Sequence, residues 1–279
     1  MDPLSLLMIF FVSAFVGVIT SMLGIGEGVL LVPFLTLAAG IPIQIAIATS
    51  LVSTIANSSA ASMTYVKDCR LNLRLALWFA ITATAGAIIG AQIAAQINRT
   101  LLTEVFAAAL VATAVVMFLR RKEVDAVQST RLRDVQYDRF QLGGSYTNTM
   151  GERLVTYQVR NPLLGLLSGF VAGNASGLLG IGGEIISVPV MTLGMRVPIK
   201  VATGTSALII GLTTAVGAII YYANGFVQPL LAAIVLEAVF LGGPDRAASA
   251  GQDSKRSANC ELCCGISHFG VANAIEVIT

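Results

Sequence analysis

Two glycine-rich stretches each carry one carboxylate: Gly24-Ile25-Gly26-Glu27-Gly28 and Gly180-Ile181-Gly182-Gly183-Glu184, both within apolar surroundings. Glycine lets a backbone leave helical geometry and lets a ligand approach its amides. Where an apolar helix is broken this way, the half-helix that follows points free N–H groups and the positive end of its dipole at the break. In hydrocarbon those groups need a partner, and an anion or water serves. Gly24, Gly26, Gly28, Gly180, Gly182 and Gly183 are therefore candidate contacts for an anionic substrate. The alternative for these glycines is a packing kink, since glycine is common in membrane helices. Glu27 and Glu184 lie inside the same breaks, where a carboxylate is costly and usually functional. A negative charge repels an anion, so proton coupling fits them better than direct ligation. A nucleotide-binding loop fits poorly, because no strand precedes either motif.

A second group of polar residues lies at helical spacing. Thr49, Ser53 and Asn57 are four residues apart and share a face, with Ser50, Thr54 and Ser58 beside it. A later segment offers Thr203, Thr205, Ser206, Thr213 and Thr214. Hydroxyls and amides of this kind replace an anion's water, or else hydrogen-bond helix to helix. Thr49, Ser50, Ser53, Asn57, Thr205 and Ser206 join the glycines as candidate binding residues. The chain's one histidine, His268, lies in the tail, no nucleophile–base pair is evident, and the sequence calls for no catalytic residue, enzyme activity or cofactor.

The elements that must position these residues are duplicated. Leu23-Gly24-Ile25-Gly26 recurs as Leu179-Gly180-Ile181-Gly182, Pro33 as Pro189, Pro42 as Pro198, Thr49-Ser50 as Thr205-Ser206 and Tyr65 as Tyr221. One ungapped offset of 156 residues relates every pair. Duplicated, interrupted apolar segments are the pattern of a secondary transporter with its site between the repeats. Composition agrees: 56% of the 279 residues are hydrophobic and 11% are charged, against about 25% charged in a soluble domain. Residues 3–26, 28–66, 75–98, 161–183 and 201–236 carry no charge, and a spanning helix needs about 20 mostly apolar residues. A formal net charge of +2 makes no case for nucleic acid. Residues 4–22 lack a basic region before them and their glycine motif has a copy at mid-chain, so they read as mature structure rather than a signal peptide.

The expected architecture is all-α: a polytopic transmembrane protein of two inverted-topology repeats. A first repeat spans residues 1–119, an insert 120–160, a second, apparently incomplete repeat 161–241, and an atypical polar tail 242–279. Each repeat opens on a broken hairpin, residues 4–23 with 28–39 and residues 162–179 with 184–193, whose second limb is too short to span. Full spans are expected over 43–66, 71–97, 101–119 and 198–222, with another beginning at 230. The insert carries eight basic and five acidic residues and lies outside the bilayer. Its residues 153–159 read as a strand, with Gly143-Gly144-Ser145 and Asn148 as turn residues of a small β-hairpin. Lys67, Arg70 and Arg74 cluster at one connection and Arg120, Arg121 and Lys122 two spans later, so both clusters are cytoplasmic by charge bias. Arg196 and Lys200 place the start of the second repeat's long span on that same side, so the duplicates run antiparallel. In the tail, Cys260-x-x-Cys263-Cys264 with His268 has soft-metal spacing but no second pair to complete a site, and we assign no metal.

The motif Leu23-Gly24-Ile25-Gly26-Glu27-Gly28 with Val32-Pro33 resembles the TauE/SafE family of sulfite and organosulfonate exporters. So does its copy Gly180-Ile181-Gly182-Gly183-Glu184 with Val188-Pro189, as does the stretch 197–206. The resemblance covers residues 4–241. It implies a multi-pass carrier in a prokaryotic cell membrane, exporting a small sulfur-containing anion with proton coupling. Two departures stand out. Glu27 and Glu184 fall where the family commonly has glycine, and the family's closing helices do not follow residue 241. The sequence is therefore expected to encode a carrier of a small anion by alternating access. The rivals are a cation/proton antiporter using Glu27 and Glu184, and a membrane sensing protein with the insert as its partner surface.

Overall fold

The computed structural model describes residues 3–23, 26–67, 71–120, 142, 144–147, 154–157 and 159–242. The chain is mostly helical. Helix α1 (Pro3–Leu23) runs to the first glycine break, and α2 (Gly28–Pro33) leaves it. Pro33 ends the regular helix, because its ring and missing N–H break the hydrogen-bond ladder. The following Phe34–Ala38 widens into a π-helical turn, with the Ala39 N–H donating to the Phe34 carbonyl at 3.3 Å. Long helices α3 (Ile43–Lys67), α4 (Leu73–Gln96) and α5 (Arg99–Arg120) complete the first half. The second half repeats the plan with α6 (Pro162–Leu179), α7 (Glu184–Pro189) with its π turn Val190–Gly194, α8 (Ile199–Ala223) and α9 (Pro229–Gly242). The 156-residue offset therefore holds for elements as well as motifs. Pro42 and Pro198 each sit one residue before a long helix, and their carbonyls accept its first N–H groups. The second-half counterpart of α5 would cover residues 255–276, outside the described residues.

The packing is reciprocal. Helix α3 crosses its own copy, α8. Helix α4 packs on α6, and their copies α9 and α1 pack on each other; likewise α4 meets α8 while α9 meets α3. Each of these contacts therefore has a counterpart when the two halves are exchanged.

The molecule is apolar outside and polar within. Leu37 is 85% exposed and Phe15 65%, whereas Ser13, Thr49, Ser50, Thr205 and Ser206 are fully buried. Water rejects such a surface and lipid accepts it. Among the described residues, four helices are long and apolar enough to cross a membrane: Ile43–Val66, Leu73–Gln96, Pro162–Leu179 and Ile199–Ala223.

In lipid, helices gain no hydrophobic free energy from touching each other, so close packing through small residues must hold them. The α4–α6 contact does this with Gly86 and Gly90 against Gly165, Gly169, Gly173 and Gly177, all at spacings of four. A Cβ on Gly173 would stand 1.9 Å from the Ala83 carbonyl oxygen, and one on Gly86 2.2 Å from that of Phe170. We expect Gly173→Ala to destabilise the protein by about 1–3 kcal/mol through forced separation of the two backbones. Thermal unfolding in detergent checks this, and an unchanged midpoint would contradict the tight crossing.

Residues 120–160 contribute two short antiparallel strands, β1 (Gly144–Thr147) and β2 (Leu154–Tyr157), paired Gly144 to Tyr157 and Thr147 to Leu154. Gly144 and Ser145 are strand residues here, not turn residues; the connection between the strands lies outside the described residues. The root of the pair is buried. Leu142, Tyr157 and Val159 pack into an apolar cluster with Leu75, Phe79, Met191, Met195 and Val197, and Trp78 lies against it.

Candidate transport site

The two glycine breaks meet. A Cβ on Gly26 would lie 2.2 Å from the Ile181 carbonyl oxygen, and one on Gly28 1.8 Å from that of Gly180. Backbone touches backbone here, and only glycine permits it. Gly180, Gly182 and Gly183 also take φ of +69°, +82° and +71°, in the left-handed region open chiefly to glycine. Gly24 lies outside the described residues, as do Cys69, Cys260, Cys263, Cys264 and His268.

Glu27 enters this junction from the start of α2 and is 3% exposed. Ser53 Oγ donates to its Oε2 at 3.2 Å, and Asn57 Nδ2 donates to its Oε1. The four-residue spacing of Ser53 and Asn57 brings both to one side of α3, so each carboxylate oxygen faces a polar side chain, although the single Ser53 proton is shared with the Ser50 carbonyl 3.0 Å away. Glu184 opens α7 on the other side of the junction. The halves differ here. By the 156-residue offset, Gly183 replaces Glu27, Ile209 replaces Ser53 and Thr213 replaces Asn57.

Ser50 ties α3 to the opposite break, its Oγ donating to the Gly180 carbonyl at 3.0 Å. Thr49, by contrast, turns back on its own helix, donating to the Ile45 carbonyl at 2.8 Å. In α8, Ser206 donates to the Thr203 carbonyl at 2.9 Å, and Thr213 and Thr214 both donate to the Ile210 carbonyl. Thr205 differs: its Oγ1 accepts the backbone N–H of Asn72 at 3.2 Å. The structure thus brings Gly26, Gly28, Gly180, Ser50, Ser53 and Asn57 to one junction. The space beside Gly182 and Gly183, lined also by Ala172, Ser187 and Thr213, is too narrow for a water molecule. A surface cavity of about 210 Å³ opens at the ends of α3 and α8, lined by Tyr65, Ile199, Lys200 and Thr203.

Sequence reasoning missed two features. One is the glycine ladder of α6, whose spacing of four was a readable signal. The other is Asn72, the N-cap of α4. Its Oδ1 accepts the Leu75 N–H at 3.1 Å while its amide reaches the insert. An asparagine before an apolar run is a cap signal; what its amide nitrogen binds is not.

Apolar helices broken at paired glycines, polar groups and a carboxylate turned inward, and aliphatic side chains turned outward are the features of an integral membrane transporter. The chain belongs to the TauE/SafE family: the family described as "Sulfite exporter TauE/SafE" matches residues 9–245. It is 28% identical over 236 residues to the "Probable membrane transporter protein YunE" of Bacillus subtilis, covering 81% of this chain and 82% of that protein. A protein of Methanocaldococcus jannaschii, also named a probable membrane transporter protein, is 26% identical over 212 residues, covering 74% and 68%. No solved structure matches.

Proposed function

We propose that this chain is a secondary carrier of a small anion, sulfite-like or sulfonate-like, working by alternating access from one membrane face to the other. The observation that carries this reading is the junction itself, where two broken helices from two copies of one unit face each other beside the polar stripes of α3 and α8. Gly26, Gly28, Gly180, Gly182 and Gly183 present backbone to the substrate, and Thr49, Ser50, Ser53, Asn57, Thr205 and Ser206 line its path. The narrowness beside Gly182 and Gly183 is that of a closed conformation, which the cycle must open. The halves run in opposite directions through the bilayer. Lys67, Arg120 and Arg196 share the cytoplasmic side with the insert, opposite Asn98 and Asn224. Labelling of single cysteines at positions 67, 98, 196 and 224 in intact cells tests this. Positions 67 and 98 reacting from the same side would overturn it.

Glu27 and Glu184 carry the coupling proton. Serine hydroxyl and asparagine amide both donate and accept, so Ser53 and Asn57 suit Glu27 in either protonation state. A basic partner would instead hold it ionised. A carboxylate at each glycine break, within the membrane-spanning region, is the kind of group that carries a proton or a cation. The same cradle supports the second reading, a cation/proton antiporter.

Proteoliposome flux with sulfite, sulfate, sulfoacetate and chloride decides the substrate class. Saturable sulfite or sulfoacetate flux supports the anion carrier; cation flux with no anion flux supports the antiporter.

A further inference from the structure

The insert is built into the transport core through one residue. Asn72 makes five hydrogen bonds at the start of α4, one of them from the Ala76 N–H to the Asn72 carbonyl at 2.9 Å. Its Oδ1 caps the helix through the Leu75 N–H. Its Nδ2 donates to the Leu142 carbonyl at 2.8 Å and to the Tyr157 hydroxyl at 2.7 Å. Its backbone N–H donates to Thr205 Oγ1 at 3.2 Å. Leu142 leads into β1 and Tyr157 ends β2, so both amide contacts come from the insert. Gly144 is matched to this arrangement. It pairs across the strands with Tyr157, and a Cβ there would stand 3.1 Å from the Tyr157 hydroxyl and 3.4 Å from Asn72 Nδ2. Tyr157 is 4% exposed, so the junction is closed to bulk water.

The consequence falls on Thr205. Thr49, Thr54, Thr213 and Thr214 spend their hydroxyl protons on carbonyls of their own helices. Thr205 Oγ1 instead accepts a hydrogen bond from the Asn72 N–H, which leaves its own O–H to donate elsewhere. We propose that Asn72 is a positioning residue for Thr205, and that the strand pair of the insert, through Tyr157 and Leu142, holds Asn72 in place so that the Thr205 hydroxyl donates to the anion. The insert thereby sets substrate affinity from outside the path. This rests on the reading of Thr205 as a path residue. Burial pushes the Tyr157 hydroxyl up to about 12, above its ordinary value, so the contact stays intact across physiological pH.

Two variants separate holding from capping. Tyr157→Phe keeps the buried ring and removes the hydroxyl. Asn72→Ser keeps a good helix cap but is too short to reach the insert. Each is expected to raise the KM for sulfite or sulfoacetate about fivefold, the loss of one net hydrogen bond, with maximal flux per folded protein unchanged. In a Thr205→Val background, Tyr157→Phe should add nothing further. An unchanged KM in Tyr157→Phe, or effects that multiply in the double variant, would overturn the proposal. A separate measurement needs no substrate. Hydrogen exchange at the Asn72 amide should quicken about fivefold in Tyr157→Phe, and unchanged exchange overturns the holding role even if the wild-type protein moves no anion. Absent wild-type flux together with quickened exchange would instead sink the carrier reading and, with it, the role assigned to Thr205.

Discussion

Gly28→Val is expected to abolish assembly of the folded protein. The first carbon of any side chain at this position would stand 1.8 Å from the Gly180 carbonyl oxygen, and the obstacle is backbone, not a side chain that can turn aside. The two breaks would have to separate, and with them the α1–α2 and α6–α7 limbs they join. Gly182→Val is the informative partner. There a Cβ would meet nothing nearer than Gly26 Cα at 3.6 Å and Ile210 Cγ2 at 3.7 Å, so space is available. Its obstacle is φ of +82°, which a β-branched residue tolerates poorly, at about 1–2 kcal/mol or more. We expect Gly182→Val to insert and fold but to lose transport as the break changes course. The measurement is flux normalised to monodisperse protein on size exclusion. Normal assembly of Gly28→Val would contradict the backbone contact. Normal flux in Gly182→Val would remove Gly182 from the site.

Glu27→Gln should separate coupling from carriage. Glutamine keeps the length of the side chain and one acceptor for Ser53 or Asn57, but it holds no transferable proton. If Glu27 carries the coupling proton, sulfite or sulfoacetate flux driven by a pH gradient should fall about tenfold or more, the scale of losing a charge-assisted hydrogen-bonding group. Exchange of labelled substrate at equal pH on both sides should persist. If Glu27 binds a transported cation instead, both modes fail together. Equal gradient-driven flux in Glu27→Gln and wild type would remove Glu27 from the coupling. The companion Ser53→Ala should give a smaller loss of the same kind, since Asn57 still holds the carboxylate.

Much of the architecture is legible because it repeats. A single offset of 156 residues fixes which segments are copies, and charge-free length fixes which are long. Pro33 and Pro189 mark where each short limb loses its regular helix, since proline removes a donor whatever surrounds it. The spacing of Thr49, Ser53 and Asn57 places them on one face by helical geometry alone. These properties are local, so the chain determines them before any packing occurs.

What faces that stripe is a tertiary matter. Nothing in the order of residues tells that Ser53 and Asn57 turn to Glu27 while Ser50 turns to Gly180, because those partners lie 26 to 130 positions away. The glycines of the breaks were legible as places where backbone can approach something. Only the packed halves decide that, in this conformation, the something is the other break. The strand pair was partly legible, from the β-rich run ending near Tyr157, yet its partner strand came from residues read as a turn. Short polar segments carry too little periodicity to fix register, and here the buried contacts of Leu142 and Tyr157 at Asn72 set it. The sequence by itself determined a duplicated, lipid-facing helical membrane transporter with glycine breaks. Tertiary structure alone decided which groups meet at those breaks, because contacts between distant residues depend on how the two halves dock.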